Sequence, residues 1–323
     1  MRVLTLCLCC VLALAGAAGA ADAPRDYPAR PIRLIVPVPP GGSIDTFSRA
    51  LVRALDGRFG GAIVVDNRSG ANGIIGADLA AKAAPDGYTL LSNSFAFVIN
   101  PAMYRTLPFD TARDFAPITA YVKGLGYLLL AHPSLPARTI PELIALAKSR
   151  ALSYSSPGTG NGAHLAGELF RLKAGIELLH VPYKGGGPAF NALLGNEVNL
   201  TFQTVIVSQP HVEAGRLRAL GFSGAARVPA MPEVPTIAES GLPGFVYDTG
   251  WHGWFAPAGT PPAILNRVHA EIVRALQEPK LREYFIAGGY QPAGLTPAEF
   301  RKLFTDDIRR YGEIVRAAGI EPQ

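Results

Sequence analysis

The sequence predicts an α/β protein of two lobes, and three observations carry that prediction. From Pro31 onward, short runs of β-branched and aliphatic residues alternate with helical patterns, as in repeated strand–helix units. The alternation comes in two sets, one from "PIRLIVPV" to "YTLLSNS" and another from "YLLLAHP" to "LRALGFS". The chain has 323 residues, and the roughly 300 left beyond a removable leader suffice for two packed lobes.

Each element follows from its pattern. "PIRLIVPV" reads as a strand, and Ile44, Phe47, Leu51, Leu55 and Phe59 recur at three- or four-residue spacing, which predicts a one-faced helix over 44–59. "AIVVD", "IIGADLAAKA" and "YTLLSNS" supply the next strand, helix and strand. In the second set, Thr139 and Glu142 form a capping box on "TIPELIALAKSR", their side chains satisfying exposed amides at the helix start. "LSYSS", "HLAGELFRLKAG", "ELLHVPY", "PAFNALLG", "VNLTFQT" and "LRALGFS" continue the alternation, and the Pro/Gly-rich stretch 228–244 reads as an ordered surface loop leading back to the first lobe. Two amphipathic helices close the chain, one marked by Ile264, Leu265, Val268, Ile272 and Leu276, the other by Phe300, Phe304, Ile308, Tyr311 and Val315 after Thr296, Pro297 and Glu299.

The leader is "MRVLTLCLCCVLALAGAAGAADA", residues 1–23: one positive charge at Arg2, an apolar core and small residues with A-x-A sites, which reads as a secretory signal peptide. Its apolar core is shorter than the ~20 residues a membrane span needs. Cys7, Cys9 and Cys10 sit inside that core rather than behind small residues after it, which argues against lipid attachment. With every cysteine in the leader, the mature chain has no disulfide, thiol nucleophile or thiolate metal site. Net charge is +5, from 30 basic and 25 acidic residues without a basic run, so a nucleic-acid partner is not expected.

Three glycine-rich turns join strands to helices: "VPVPPGGSID", "SSPGTGNGAH" and "YKGGGPAF". Such turns leave unsatisfied amides at a helix N-terminus, where an anion is favoured. Nucleotide motifs do not fit: there is no G-x-G-x-x-G, the second turn has glycines at 158, 160 and 162, and no Gly-Lys-Ser/Thr ends a loop. A carboxylate needs only two or three amides and a hydroxyl, which Gly41, Gly42 and Ser43 supply. Hydrogen bonds to a charged group contribute roughly 1.5–3 kcal/mol each and a helix terminus about 0.3–1, so two carboxylates on two turns approach the ~8 kcal/mol of micromolar binding. Asp45 would repel an anion unless hydrogen-bonded to the turn, and is assigned to bracing it.

Catalytic readings are weaker. Ser155, Ser156 and His164 invite a nucleophile and base, but no G-x-S-x-G elbow occurs. His164 and Glu168 lie four apart on one helix face, yet "HLAGE" lacks the second histidine of H-E-x-x-H, so no metal is expected, and no cofactor. His252, between Trp251 and Trp254, reads either as a buried strand residue or as part of a cleft.

Several motifs together carry a resemblance. "YPARPIRLIVPVPPGGSID", "VVDNRSGANGIIGADLAAKAAPDGYTLL", "NPAMYRTLPFD", "DFAPIT", "HLAGELF", "HVPYKGGGPA", "PHVEAGRLRAL", "VPTIAESGLPGF" and "APAGTPP" resemble, in order, the solute receptors of tripartite tricarboxylate transporters, the Bug family, from about Tyr27 to Pro322. The resemblance implies a periplasmic binding protein of type II fold, two α/β lobes joined by two crossing strands, with 24–124 plus 249–323 as the first lobe, 125–248 as the second, and a hinge near 124 and 249. It implies a non-enzymatic receptor for a small organic carboxylate, a large and a small membrane subunit as partners, and a periplasmic location; the receptor is expected to be a monomer. Its ligand residues correspond here to Gly41, Gly42 and Ser43, to Ser156, Gly158, Thr159 and Gly160, to Lys184, Gly185 and Gly186, and, in the loop after the third strand, to Ser92, Asn93 and Ser94.

One departure stands out: where relatives read Phe-Asp-Asn-Leu-Pro after "VNLTF", this chain has Gln203 and Thr204. Losing that carboxylate removes repulsion toward an anion and a partner for an amino group, so Gln203 joins the expected site and simple carboxylic acids are expected over amino acids. Two alternatives remain, a sensory receptor reporting to a membrane histidine kinase and a secreted hydrolase using Ser156 and His164.

Overall fold

The computed structural model describes residues 27–317 and 321–322; the expected signal peptide and its cysteines lie outside the described residues. The chain first lays down β1 (Ile32–Val36), α1 (Ser43–Ala54), β2 (Ile63–Asn67), α2 (Ile74–Ala81), β3 (Thr89–Ser94), α3 (Ala96–Met103) and β4 (Phe115–Gly124). It crosses into β5 (Leu128–Ala131), α4 (Ile140–Ser149), β6 (Leu152–Ser156), α5 (Gly162–Ala174), β7 (Leu178–Pro182), α6 (Gly186–Leu194), β8 (Leu200–Gln203), α7 (Val205–Glu213) and β9 (Arg218–Phe222). It returns through β10 (Trp251–Pro257), α8 (Pro262–Ala275), α9 (Pro279–Ala287), β11 (Tyr290–Pro292) and α10 (Pro297–Ala317).

Two mixed sheets result, ordered β11-β4-β10-β3-β1-β2 and β7-β6-β8-β5-β9. Each is covered on both faces. In the first, Leu34 and Trp254 pack under α1, α8 and α9 with Phe47, Val268 and Phe285, while Ile35 and Phe255 face Ala77, Val98 and Phe304 of α2, α3 and α10. In the second, Leu129, Tyr154 and Phe202 pack with Leu143 and Phe170 of α4 and α5, and Leu128 and Leu130 with Phe190 and Val205 of α6 and α7. Strands buried on both faces read as continuous apolar runs, the mark of a doubly covered sheet.

Strand direction places the turns. β1, β2 and β3 are parallel, as are β6, β7 and β8, so in each sheet the strand-to-helix turns share one edge. β10 runs antiparallel to β3 and β4, so the outward crossing at Gly124 and the return at Trp251 use the turn-bearing edge of the first sheet. β5 is antiparallel to β8, so the chain enters the second sheet at its turn-bearing edge too. The two edges therefore face each other across the crossings.

The structure departs from the sequence reading in places. The first helix ends at Ala54, not Phe59, because Gly57 takes φ +73°; Leu55 and Phe59 remain in the core from the turns that follow. Thr139 caps α4 by accepting from Glu142 N at 3.3 Å, while Glu142 reaches past the cap to Arg138 N at 2.7 Å. The 228–244 segment is not simply surface: Val228, Met231, Val234, Ile237 and Leu242 are buried, and Phe222 N–Pro235 O and Ile237 N–Phe222 O bonds of 2.8 Å shield the open edge of β9. α3 and α7 carry Pro101 and Pro210 inside them, which masks them from a pattern reading that treats proline as a breaker.

Candidate functional site

At the first turn Gly41 takes φ +88°, and Gly42 is the N-cap of α1 with no side chain capping it. The amides at the start of α1 thus have no partner within the helix. Asp45 holds the turn from behind: its Oδ2 accepts from Gly41 N at 2.9 Å, and its Oδ1 accepts from Arg49 Nε and Asn67 Nδ2, each at 2.9 Å. Asn67 Nδ2 also donates to Val38 O at 3.0 Å. The sequence reading counted the Gly41 amide among the ligand donors; here it is committed to Asp45, and the free donors at this turn belong to Gly42, Ser43 and the helix start.

The second turn is built differently. Ser156, fully buried at the end of β6, bonds His180 Nε2 at 2.6 Å, Gly158 O at 3.0 Å and Gly158 N at 3.2 Å. Gly160 N donates to His164 Nδ1 at 3.0 Å, and the His164 and His180 rings stack with centroids 4.0 Å apart. Burial lowers the pKa of both; with His164 beside it, His180 is pushed down to about 4. Tyr154 lies beneath them and donates to Glu168 Oε1 at 2.9 Å. Asn161 caps α5 by accepting from Ala163 N at 3.0 Å, so this helix start is closed by its own side chain. The hydrolase pairing is corrected here: the imidazole bonded to Ser156 is that of His180, and the hydroxyl is enclosed and engaged with its own turn, a poor position for a nucleophile.

At the third turn, Gly185 is the N-cap of α6, uncapped by any side chain, and Gly186 borders open space. Lys184 is exposed and makes no ion pair or side-chain hydrogen bond among the described residues. At the end of β8, Gln203 Oε1 accepts from Thr204 N at 2.8 Å and Thr204 Oγ1 at 3.2 Å, which leaves the amide nitrogen of Gln203 without a partner among the described residues.

Ser92, Asn93 and Ser94 are corrected in place: they are the last residues of β3, not a loop after it, because they pair with Trp254, Gly253 and His252 of the return strand. Ser92 is fully buried and accepts from Ser48 Oγ at 2.8 Å. His252 and Trp251 are likewise enclosed in β10 rather than lining a cleft, with Trp251 Nε1 donating to Asp307 Oδ2 at 2.8 Å.

The facing edges touch. A Cβ built on Gly185 would sit 3.5 Å from Pro39 Cγ, and one on Gly160 would sit 2.6 Å from Met103 Cγ. Leu165 of α5 shares a cluster with Phe95 and Met103 of the first lobe. Gly160 lets second-lobe backbone seat directly on the Met103 side chain, and Gly185 lies near Pro39 with room to spare. Tyr154 and His180 were not read as site residues in the sequence, and Thr204 only as part of a departure from the family motif; the period-2 placement of Tyr154 and Ser156 on one face of β6 was the available signal. An open groove lined by Lys148, Arg150 and Leu179 lies at the opposite end of β6, away from all three turns.

Known proteins match this arrangement. The family model described as "Tripartite tricarboxylate transporter family receptor" matches residues 47–320. Protein BugT of Bordetella pertussis is 38% identical over 312 residues, 95% of each chain. The solved structure of Rhodopseudomonas palustris Rpa4515 with adipate superposes with a TM-score of 0.88 at 33% identity, covering 92% of this chain and 100% of that one. MatC (Rpa3494) of the same organism, with bound malate, superposes with a TM-score of 0.82 at 29% identity, covering 90% and 100%.

Proposed function

Since the chain belongs to the tripartite tricarboxylate transporter receptor family, we propose that it captures a small organic carboxylate between its lobes in the periplasm and delivers it to a transporter with one large and one small membrane subunit. The observation that carries the reading is the approach of two uncapped helix starts: a methyl added at Gly185, the N-cap of α6, would lie 3.5 Å from Pro39 of the turn before α1, and the neighbouring Lys184 has no ion pair among the described residues. Neutral glycine turns and helix N-termini favour anions, and a two-ended acid can be held from both lobes. That adipate and malate occupy similar proteins supports this substrate class.

The lobes divide at the crossings, 24–124 with 249–323 against 125–248, and a hinge there lets them close as a monomer. Gly124 N donates to Gly250 O at 2.6 Å, and Gly124 leaves room for the Thr249 side chain, so the two crossings lie directly together. Gln203 supports the preference for acids without an amino group: with its oxygen committed to Thr204, it offers N–H donors, which suit a carboxylate and repel an ammonium.

The test is thermal unfolding of the mature protein with acetate, succinate, malate, adipate, citrate, aspartate and glutamate. A ligand at about 100 times its Kd adds ~2.7 kcal/mol, a rise of about 4 °C for a protein of this size. At least one acid should give such a shift and be recovered unchanged. No shift with any acid, or conversion of the acid, refutes the receptor reading; tighter binding of aspartate or glutamate than of succinate or malate refutes the role of Gln203.

A further inference from the structure

The turn before α5 holds four of the expected ligand residues, Ser156, Gly158, Thr159 and Gly160, and most of its donors are already committed. Ser156 Oγ engages His180 and Gly158, Gly158 N donates to Ser156 Oγ, and Gly160 N donates to His164 Nδ1. Asn161 N donates back to Gly158 O at 3.2 Å, so the chain is tied on both sides of Thr159. Thr159 is half-buried, and its amide and hydroxyl have no partner among the described residues. Its neighbours are glycines, which hold no preferred shape by themselves, so these bonds set its orientation.

His164 makes its bond from a position where a carboxylate is usual. With Asn161 as N-cap, His164 is the third residue of α5, and it accepts from the residue before the cap. Glu142 makes the same contact at α4, where Thr139 is the N-cap and Arg138 N the donor. Glu or Gln is the ordinary choice there. The difference follows the edges of the sheet: β5 runs away from the turn-bearing edge, so α4 starts at the far end, whereas α5 starts on the ligand edge. A carboxylate on that edge would repel an anion, and the nearby cation is taken, because Arg171 bonds Glu168 at 3.0 Å and Glu177 at 3.3 Å. A neutral imidazole accepts through Nδ1, keeps its proton on Nε2, and adds no charge. Burial lowers the pKa of His164 and favours that form. The groups facing it are the rings of His180 on β7 and Tyr154 on β6, at centroid distances of 4.0 and 6.5 Å, and Glu168 on its own helix.

We propose that His164 is a positioning residue for the bound carboxylate: its uncharged Nδ1 pins the Gly160 amide, so that Thr159 presents its N–H and O–H to the ligand with no negative charge behind them. The role rests on the carboxylate-receptor reading. Gly160 also seats on Met103, so the same bond fixes the turn where the second lobe meets the first.

The test compares wild type with three variants. His164→Phe keeps a flat ring against His180 but has no acceptor; His164→Asn places Oδ1 where Nδ1 stands but loses the stack; His164→Glu accepts with a charge. Amide exchange at Gly160 is followed by NMR of the isotope-labelled, ligand-free protein, and Kd by calorimetry with the acid giving the largest shift in the panel above. Gly160 protection should persist in the Asn and Glu variants and fall about tenfold in His164→Phe, the effect of one buried bond. Binding should weaken roughly five- to tenfold in His164→Phe and recover to within about twofold of wild type in His164→Asn. His164→Glu should bind at least as weakly as His164→Phe although its Gly160 bond is kept. Weaker binding in His164→Asn than in His164→Phe assigns His164 to packing and overturns the proposal, as does unchanged Gly160 exchange in His164→Phe. Wild-type affinity in His164→Glu overturns the need for a neutral cap. Failure of wild type to bind any acid refutes the receptor reading itself, a separate outcome.

Discussion

The two best-formed turns of the site do the same work with opposite electrostatics. The turn before α1 is braced by charge: the Asp45 side chain, 4% exposed, is held by Arg49, 42% exposed, with Asn67 closing the network. The turn before α5 is braced by neutrality, two stacked imidazoles accepting or exchanging hydrogen bonds with Gly160 and Ser156. The difference teaches where each brace is vulnerable. The ion network depends on an exposed partner, whereas the stacked neutral histidines resist acid only while burial keeps protons off them.

The sharpest way to break this comparison is steric. Gly160 combines φ +77° with close contact to Met103, which is itself buried, so Gly160→Ala should cost about 2–4 kcal/mol from strain and overpacking and weaken carboxylate binding by interfering with lobe contact. Partial recovery in Gly160→Ala with Met103→Ala, followed by urea unfolding and calorimetry, would locate the cost at that contact; no recovery would place it elsewhere. Next, Asp45→Ala leaves the Gly41 amide and the inward faces of Arg49 and Asn67 unpaired and should destabilise by roughly 2–3 kcal/mol. An unchanged urea midpoint would show that the charge network is ornamental.

Smaller, at roughly 1–2 kcal/mol, is His180→Phe, which preserves the stack but removes the bond to Ser156. Its signature is pH dependence. The folded pKa of His180 is depressed to about 4, so at intermediate pH the unfolded state binds more protons and stability falls as pH drops from about 6.5 toward 4. Wild type should lose stability across that window and His180→Phe should lose less; parallel curves would assign the acid sensitivity to other groups. The smallest effect is Gly41→Ala, roughly 1 kcal/mol, since φ +88° is strained for alanine but no neighbouring atom lies within 4 Å of the added methyl. A loss as large as that of Gly160→Ala would erase the distinction between a free turn and one seated on the opposite lobe.

Legibility in the sequence followed the range of the interaction. The 3.6-residue spacing from Ile44 to Leu51, the Thr139 cap and the glycine turns were readable because they depend on residues a few positions apart. β4 was not read as a strand: it is buried at every position but Lys123, so it shows no alternation. The residue pattern "YTLLSNS" put Ser92, Asn93 and Ser94 in a strand and the resemblance put them in a loop after it; the strand reading holds, because they pair with a strand about 160 residues further on. Gln203 was singled out from its motif, but which of its atoms is committed came from a bond to Thr204.

By itself the sequence determined an α/β chain with glycine turns at strand ends, no cysteine after Cys10, and motifs of one receptor family. The tertiary structure decided which polar groups are free and which are committed: Gly41 to Asp45, Ser156 to His180, Gln203 Oε1 to Thr204. The reason is physical. Backbone conformation is set largely by neighbours in the chain, but the partner of a buried polar group is set by strand register and by which surfaces meet, and no local pattern encodes either.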